Sequence, residues 1–156
     1  MGKLLSKNEI KNVSEKLKNE GKTIVFTNGC FDILHIGHTR YLKESAKFGD
    51  VLIIGLNSDL SVKKLKGETR PINCELDRAE LLCELNFVDY VVIFDENTPE
   101  NLLEEIKPNI YTKGADYTLE TLSEASVVMK NGGKVEFINL IEGKSTTNVI
   151  KKIEEK

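Results

Sequence analysis

Residues 23–38 read Thr23-Ile24-Val25-Phe26-Thr27-Asn28-Gly29-Cys30-Phe31-Asp32-Ile33-Leu34-His35-Ile36-Gly37-His38. The apolar stretch 23–27 is typical of a buried strand, and the asparagine, glycine and aspartate after it are typical of a turn. A helix is predicted from Gly37, with the two histidines on one side of its first turn. The first amides of a helix are unpaired and partly positive, so the segment predicts an anion site and phosphate chemistry.

The rest of the chain alternates predicted strands and helices. Further strands are predicted at 51–56, 90–94, 109–112 and 135–138. Helices are predicted at 6–20, 37–48, 75–85, 98–107 and 122–130, after Ser58 and from about Ser145 onward, and the helix at 98 is expected to have Pro99 as its first residue. Strands separated by helices require right-handed crossovers. The sequence therefore predicts an α/β, Rossmann-like, doubly wound parallel sheet of five strands with helices on both faces.

The bulk properties fit one globular domain over 1–156, with an N-terminal helix in 1–20 and a catalytic core in 21–152. A net charge of −3 provides no basic field for nucleic acid, and no apolar run is long enough for a membrane span. The three cysteines are odd in number and lack CxxC spacing, which argues against a disulfide framework or a metal site. A cytoplasmic protein without nucleic-acid or membrane partners is expected.

Unusual polar residues follow four of the predicted strands, where a doubly wound fold binds its ligands. They comprise the histidine segment, Asn57 and Asp59 with a polar loop containing Lys63, Lys64, Lys66 and Arg70, the segment 113–117, and the segment 142–147. Neither GxxxxGK[ST] nor GxGxxG occurs, so a P-loop or a dinucleotide site has little support. The arrangement suits attack on the α-phosphorus of a nucleoside triphosphate, with His35 and His38 holding triphosphate oxygens and the basic loop screening the phosphates from one another.

The segment 28–38 resembles the HxGH motif of the cytidylyltransferase-like nucleotidyltransferases. With the segments 57–59, 64–67, 69–71, 113–117 and 145–148, the resemblance narrows to the D-glycero-D-manno-heptose 1-phosphate adenylyltransferases and extends from about Gly21 to Lys152. It implies that ATP and heptose 1-phosphate give ADP-heptose and pyrophosphate, with Mg²⁺ bound mainly through the triphosphate. It also implies a homodimer and a separate sugar kinase that supplies the sugar phosphate.

The site residues follow from the chemistry and from this resemblance. Catalytic roles are expected for His35, His38, Lys64 and Lys66. Nucleotide binding is expected for Thr27, Asn28, Gly29, Phe31, Gly37, Lys113, Asp116, Ser145, Thr146 and Thr147, and substrate binding for Asp32, Asn57, Asp59 and Arg70. The chain departs from the family pattern at Ile36, Ala115 and Lys144, which border specificity loops.

Simpler interpretations stay open for several of these residues. The lysines suit a solvated loop, Arg70 an ordinary ion pair, and the hydroxyls at 145–147 a helix cap. Three other functions share parts of the pattern: a glycerol-3-phosphate cytidylyltransferase, a class I aminoacyl-tRNA synthetase, and a non-catalytic nucleotide sensor. The acidic net charge and the length of the chain disfavour the synthetase.

Overall fold

The computed structural model of the chain describes residues 1–139 and 145–155. Its strands are β1 (Lys3–Leu5), β2 (Ile24–Gly29), β3 (Val51–Asn57), β4 (Tyr90–Phe94), β5 (Ile110–Gly114) and β6 (Lys134–Ile138). Its helices are α1 (Lys7–Asn19), α2 (Ile36–Ala46), α3 (Asp59–Lys66), α4 (Glu75–Cys83), α5 (Glu100–Ile106), α6 (Ala125–Lys130) and α7 (Thr146–Glu154).

The strands form one parallel sheet in the order β1-β4-β3-β2-β5-β6. The predicted α/β class and parallel sheet are confirmed, but the predicted count of five strands is wrong because β1 adds a sixth. This edge strand is three residues long, and Leu4 is 41% exposed, so it shows no apolar pattern. Its position depends on pairing with β4 and on backbone bonds such as Gly2 N–H to the Cys83 carbonyl at 2.8 Å.

Alternate residues of the central strands enter two separate cores. Val25 and Leu52 pack with Leu42 of α2 and with Leu82 of α4 on one face of the sheet. On the other face, side chains of β2, β3 and β4 pack against α1, α5 and α6: Ile24, Phe26, Ile53, Val92, Ile10, Leu102, Leu103, Ile106 and Val128. The sheet is therefore covered on both faces, as the continuous apolar run at 51–56 predicted.

Several helix boundaries differ from the predictions. The basic residues Lys63, Lys64 and Lys66 lie in the last turn of α3 and not in a loop, where positive charge offsets the helix dipole. Pro99 is the N-cap of α5, one position before the first helical residue. The helix α6 begins three residues later than predicted, at Ala125, because 122–124 form a turn.

The chain order places β2 at the switch point of the sheet. From β2 the chain proceeds through β3 and β4 on one side, and β5 and β6 lie on the other. Loops that leave neighbouring strands in opposite directions open a crevice at the carboxyl edge. The histidine segment leaves β2 at that crevice. Among the described residues, no helix combines the length and apolar character needed to cross a membrane.

Candidate active site

A cleft of about 670 Å³ opens at the carboxyl edge of the sheet. Its walls come from every segment in which the sequence predicted site residues, and also from the segment 97–99 after β4. The predicted residues that line it are Asn28, Gly29, Phe31, Asp32, His35, Gly37, His38, Asn57, Lys66, Arg70, Lys113, Asp116, Ser145, Thr146 and Thr147. Three predicted residues do not line it, namely Thr27, Asp59 and Lys64.

The two histidines stack against each other at the start of α2. Their ring centroids lie 3.8 Å apart with an interplanar angle of 24°. His35 is the N-cap, and its Nδ1 accepts a hydrogen bond of 3.1 Å from the Gly37 amide. This bond leaves the ring proton of neutral His35 on Nε2 and fixes the ring orientation. The pair therefore lies at the amino end of the helix, where its unpaired amides attract anions.

His38 is held in its uncharged form by its surroundings. Burial, together with the His35 ring, lowers the pKa of His38 from 6.5 to about 4. Its ring meets the edge of Phe31, with centroids 5.3 Å apart. Phe31 adopts a φ of 45°, which bulky residues rarely tolerate, and such strain is often found at functional sites. A neutral imidazole donates one N–H to a phosphate oxygen without needing a protonation step first.

Asp32 anchors Arg70 and is itself fully buried. Its carboxylate accepts a 2.7 Å bond from Arg70 Nε and bonds of 2.9 Å from the amides of Ile72 and Asn73. Burial alone would raise the pKa of Asp32, but these hydrogen bonds and the Arg70 charge outweigh it and hold that pKa below its usual value. The carboxylate is thus already fully engaged, and its role in this geometry is to aim Arg70 at the cleft.

Arg78, which the sequence reasoning missed, joins the loops around the cleft. Its guanidinium is fully buried and donates to the carbonyls of Asn73 at 2.9 Å, Cys30 at 2.8 Å and Asn57 at 2.7 Å. Its Nη2 also donates to Asp59 Oδ1 at 2.8 Å. One side chain therefore fixes the ends of β2 and β3, the start of α3 and the loop before α4.

Asn57 and Asp59, for which substrate contacts are predicted, both belong to the network around Arg78. Asn57 is 3% exposed, and its side-chain amide donates to Ser61 Oγ at 2.8 Å. Asp59 is turned toward Arg78 and lies outside the lining of the cleft. Both side chains therefore help to hold the loop after β3, while Asn57 also lines the cleft, and the substrate contacts of both residues stay predictions.

Thr27 is likewise buried beneath the site and does not reach into it. Its hydroxyl lies 2.8 Å from Tyr41 Oη and donates to the Thr112 carbonyl at 3.1 Å. Ser45 Oγ lies 2.8 Å from Thr112 Oγ1 in the same cluster. These hydroxyls tie α2 to β2 and β5 and so seat the histidine helix, and the nucleotide contact of Thr27 stays a prediction.

Lys113 is the cation on the β5 side of the cleft. Its Nζ lies 3.5 Å from Asn28 Oδ1 and 5.0 Å from the centre of the Tyr117 ring. Burial lowers the pKa of Lys113, while the nearby carboxylates Glu124 and Asp116 oppose that shift. A half-buried ammonium with so few protein partners is well suited to bind an incoming anion.

The basic residues of α3 are divided between cleft and solvent. Lys66 lines the cleft, while Lys64 is exposed outside it, so the catalytic role of Lys64 stays a prediction.

At the start of α7, Ser145 caps the helix by accepting from the Asn148 amide at 3.0 Å, and Thr146 Oγ1 donates to the Ile33 carbonyl at 3.2 Å. Residues 142–144 of the predicted segment 142–147 lie outside the described residues, and so does Lys144, where the chain departs from the family pattern.

Several lining residues were missed, and some had a readable signal. The segment 97–99 follows β4 at the same edge of the sheet as the other loops. The expectation that ligands bind at the carboxyl ends of the strands therefore applied to this segment too. Tyr41 lies three residues after His38 on the same side of α2. Arg78 and Glu124 carried no local signal, because Arg78 donates to the Cys30 carbonyl 48 residues away and Glu124 accepts from Tyr111 13 residues away.

Within 1–139 and 145–155, no group of three or more His, Cys, Asp or Glu side chains is arranged to hold a metal. The nitrogen donors that line the cleft include imidazoles, ammonium groups and a guanidinium. Donors of this kind fit a phosphate-rich ligand.

Replacement of Arg78 by Met should destabilise the whole protein. The variant keeps most of the side-chain volume but leaves one buried carbonyl, two partly buried carbonyls and Asp59 without their donor, which should cost about 3–5 kcal/mol in the free energy of unfolding. Urea unfolding measures this loss. Arg40→Met on the exposed side of α2 is the matched control and should change stability by less than about 0.5 kcal/mol. Equal stabilities for the two variants would contradict the role given to Arg78.

The histidine pair should give a distinctive pH dependence. Between pH 6.5 and about 4 the unfolded chain binds a proton that His38 in the folded protein does not, so the free energy of unfolding should fall as the pH drops through this range. His38→Gln should flatten that dependence. Proton NMR of the two imidazoles measures the titration directly, and a His38 midpoint near 6.5 would show that the ring is not held neutral by its surroundings.

Comparison with known proteins was made for the whole chain. The family described as Cytidylyltransferase-like matches residues 26–152. The Bifunctional protein HldE of Syntrophotalea carbinolica is 48% identical over 151 residues, which are 97% of this chain and 31% of that protein. The protein of the same name from Campylobacter fetus is 54% identical over 138 residues, which are 88% of this chain and 29% of that protein. The chain thus spans about a third of the length of these curated relatives.

A solved structure gives an independent comparison. The crystal structure of the lipopolysaccharide core biosynthesis protein from Thermoplasma volcanium aligns with a TM-score of 0.64 and 36% identity. The alignment covers 78% of this chain and 98% of that one. The histidine pair follows the strand at the switch point of the parallel sheet, within the residues 26–152 that the family model matches. The chain belongs to the Cytidylyltransferase-like family.

Proposed function

We propose that this chain is a nucleotidyltransferase that transfers AMP from ATP to D-glycero-D-manno-heptose 1-phosphate, giving ADP-heptose and pyrophosphate. The observation that carries the proposal is the stacked pair of His35 and His38 at the amino end of α2, with cations on both sides of it in one cleft. The curated relatives and the lipopolysaccharide core biosynthesis protein support the choice of sugar acceptor.

The reaction needs one displacement at phosphorus. An oxygen of the sugar phosphate forms a bond to the α-phosphorus of ATP, and the bond from that phosphorus to the bridging oxygen of the leaving pyrophosphate breaks. Negative charge spreads over the non-bridging oxygens in the transition state. The His35 and His38 N–H groups and the first amides of α2 would donate to these oxygens, and positioning with fixed donors is the main catalytic resource in such reactions.

The two flanks of the cleft would hold different phosphate groups. Lys113, Ser145 and Thr147 line the β5 and α7 side, where the nucleotide would bind. Lys66 and Arg70 line the β3 side, where they would reduce repulsion between the acceptor phosphate and the triphosphate. Arg70 is suited to this task because Asp32 fixes its Nε, which orients the rest of the guanidinium.

A magnesium ion would reach the site with the triphosphate and supply charge neutralisation there. Such an ion would be held mainly by phosphate oxygens. We also propose that a separate sugar kinase forms the 1-phosphate, and that the enzyme acts as a cytoplasmic homodimer, as the family resemblance implies.

The reaction is tested by pyrophosphate release from a panel of ATP, GTP and CTP with heptose 1-phosphate of both anomers and with glycerol 3-phosphate. ATP with heptose 1-phosphate should give the highest kcat/KM. His38→Ala should lower kcat by at least about 100-fold, because a donor to the transition state is lost, while its circular dichroism stays that of the parent. Preference for CTP and glycerol 3-phosphate would overturn the assignment in favour of a glycerol-3-phosphate cytidylyltransferase.

Two lysines in the last turn of α3, Lys66 in the cleft lining and Lys63 on the exposed surface, should differ in their effect on activity. Lys66→Ala should lower kcat/KM for the sugar phosphate by about tenfold or more, because a cation that lines the cleft is removed. Lys63→Ala removes the same charge from the exposed surface of the same helical turn and is the matched control. Steady-state kinetics at constant ionic strength measure both. Equal losses in the two variants would mean that α3 acts only through its general positive field.

A further inference from the structure

Glu124 is a buried carboxylate in the cleft for which the proposed reaction has no role. It is 6% exposed and lies in the turn before α6. Tyr111 Oη lies 2.9 Å from its Oε1, and Ser123 Oγ lies 3.3 Å from its Oε2. Among residues 1–139 and 145–155 it has no ion-pair partner within 4.0 Å. A carboxylate buried beside a phosphate site, with only hydroxyl partners, needs an explanation, because its charge would repel the ligand.

The contacts of Tyr111 connect Glu124 to the nucleotide side of the cleft. Tyr111 is fully buried, and its single hydroxyl proton faces two acceptors, Asn28 Oδ1 at 2.5 Å and Glu124 Oε1 at 2.9 Å, to one of which it donates at a time. The same Asn28 oxygen lies 3.5 Å from Lys113 Nζ. Three consecutive polar contacts thus run from Glu124 through Tyr111 and Asn28 to Lys113.

The charge of Lys113 depends on what surrounds its ammonium group. Within the described residues no carboxylate lies within 4.0 Å of Nζ, and burial disfavours the charged form and lowers the pKa of Lys113. The titratable groups that act on it and favour its charged form are Glu124 before α6, Asp116 after β5 and Cys30 after β2. Asp116 is exposed to solvent, which screens it, whereas Glu124 is buried.

We propose that Glu124 is a positioning residue of the nucleotide site: it fixes Asn28 through Tyr111 and serves as the buried counter-charge that keeps Lys113 protonated. The benefit of a charged Lys113 rests on the proposed function, since that function places a triphosphate in the cleft. The relation between Glu124 and Lys113 does not depend on any ligand. The two parts are therefore separable by experiment.

The first test measures the protonation of Lys113 without substrate. The protein is labelled with limiting acetic anhydride over a range of pH, and mass spectrometry follows acetylation of the peptide that contains Lys113. Glu124→Gln should move the midpoint for Lys113 to lower pH by on the order of one unit, because the opposite charge is gone. Tyr111→Phe keeps that charge and should leave the midpoint near that of the parent protein.

The matched control is Glu120→Gln, which removes the same charge from an exposed position four residues earlier. It should not move the Lys113 midpoint. A midpoint in Glu124→Gln equal to that of the parent, or equal shifts in both variants, would overturn the counter-charge. If Glu124→Gln proves unfolded by circular dichroism, Glu124→Ala, which leaves no buried amide, is held to the same criterion.

The second test uses the reaction. In the parent protein, kcat/KM for ATP should fall at alkaline pH as Lys113 loses its proton. In Glu124→Gln this fall should begin at a pH that is lower by the same amount as the acetylation midpoint. At the acid end of the range, kcat/KM should stay near that of the parent. Tyr111→Phe should lower kcat about fivefold or more at every pH, because Asn28 loses its anchor, without moving the alkaline limb. A purely structural role would lower activity in both variants without moving the limb, and would contradict the proposal. Absence of adenylyl transfer in the parent protein would overturn the proposed function, while the acetylation result would still decide the relation of Glu124 to Lys113.

Discussion

The guanidinium of Arg78 donates four hydrogen bonds inside the protein, and three of them end on backbone carbonyls of loops around the cleft. Those loops leave β2 and β3 and enter α4, and they share no regular secondary structure with one another. A fully buried cation is tolerated only where its donors are satisfied, so the loops must converge for Arg78 to be buried at all. This constraint couples the fold to the geometry of the histidine segment.

Two groups that line the cleft, the His38 imidazole and the Lys113 ammonium, make few polar contacts with the described residues. His38 is kept neutral by burial, and Lys113 has one weak neutral partner and an aromatic face. Arg70 is the exception, because Asp32 engages its Nε and thereby orients it. A site of this kind is costly without a ligand, since buried cations lack full solvation, and the cost is recovered when a polyanion enters. The buried carboxylate Glu124 moderates that cost on the β5 side.

Prediction from the sequence succeeded where the signal was local and failed where it was not. The apolar run at 51–56 and the capping box of Ser6 and Glu9 were readable because periodicity and capping act within a few residues. The strand β1 was not, because a three-residue edge strand owes its existence to its neighbour β4. The hydrogen bonds of Thr27 could not be read for the related reason that its partners Tyr41 and Thr112 lie 14 and 85 residues away.

The sequence by itself determined the alternation of strands and helices, and it predicted ligand binding at the carboxyl ends of the strands and an anion site at the histidine pair. These follow from hydrophobic pattern, helix geometry and the polarity of a helix terminus, all of which act over short stretches of chain. Only the tertiary structure decided which polar residues line the cleft and which hold the loops. Asp59 and Lys64 do not line the cleft, whereas Arg78 holds the loops around it and Glu124 lines it. The reason is that burial and hydrogen-bond partnership depend on distant segments that meet only when the chain has folded.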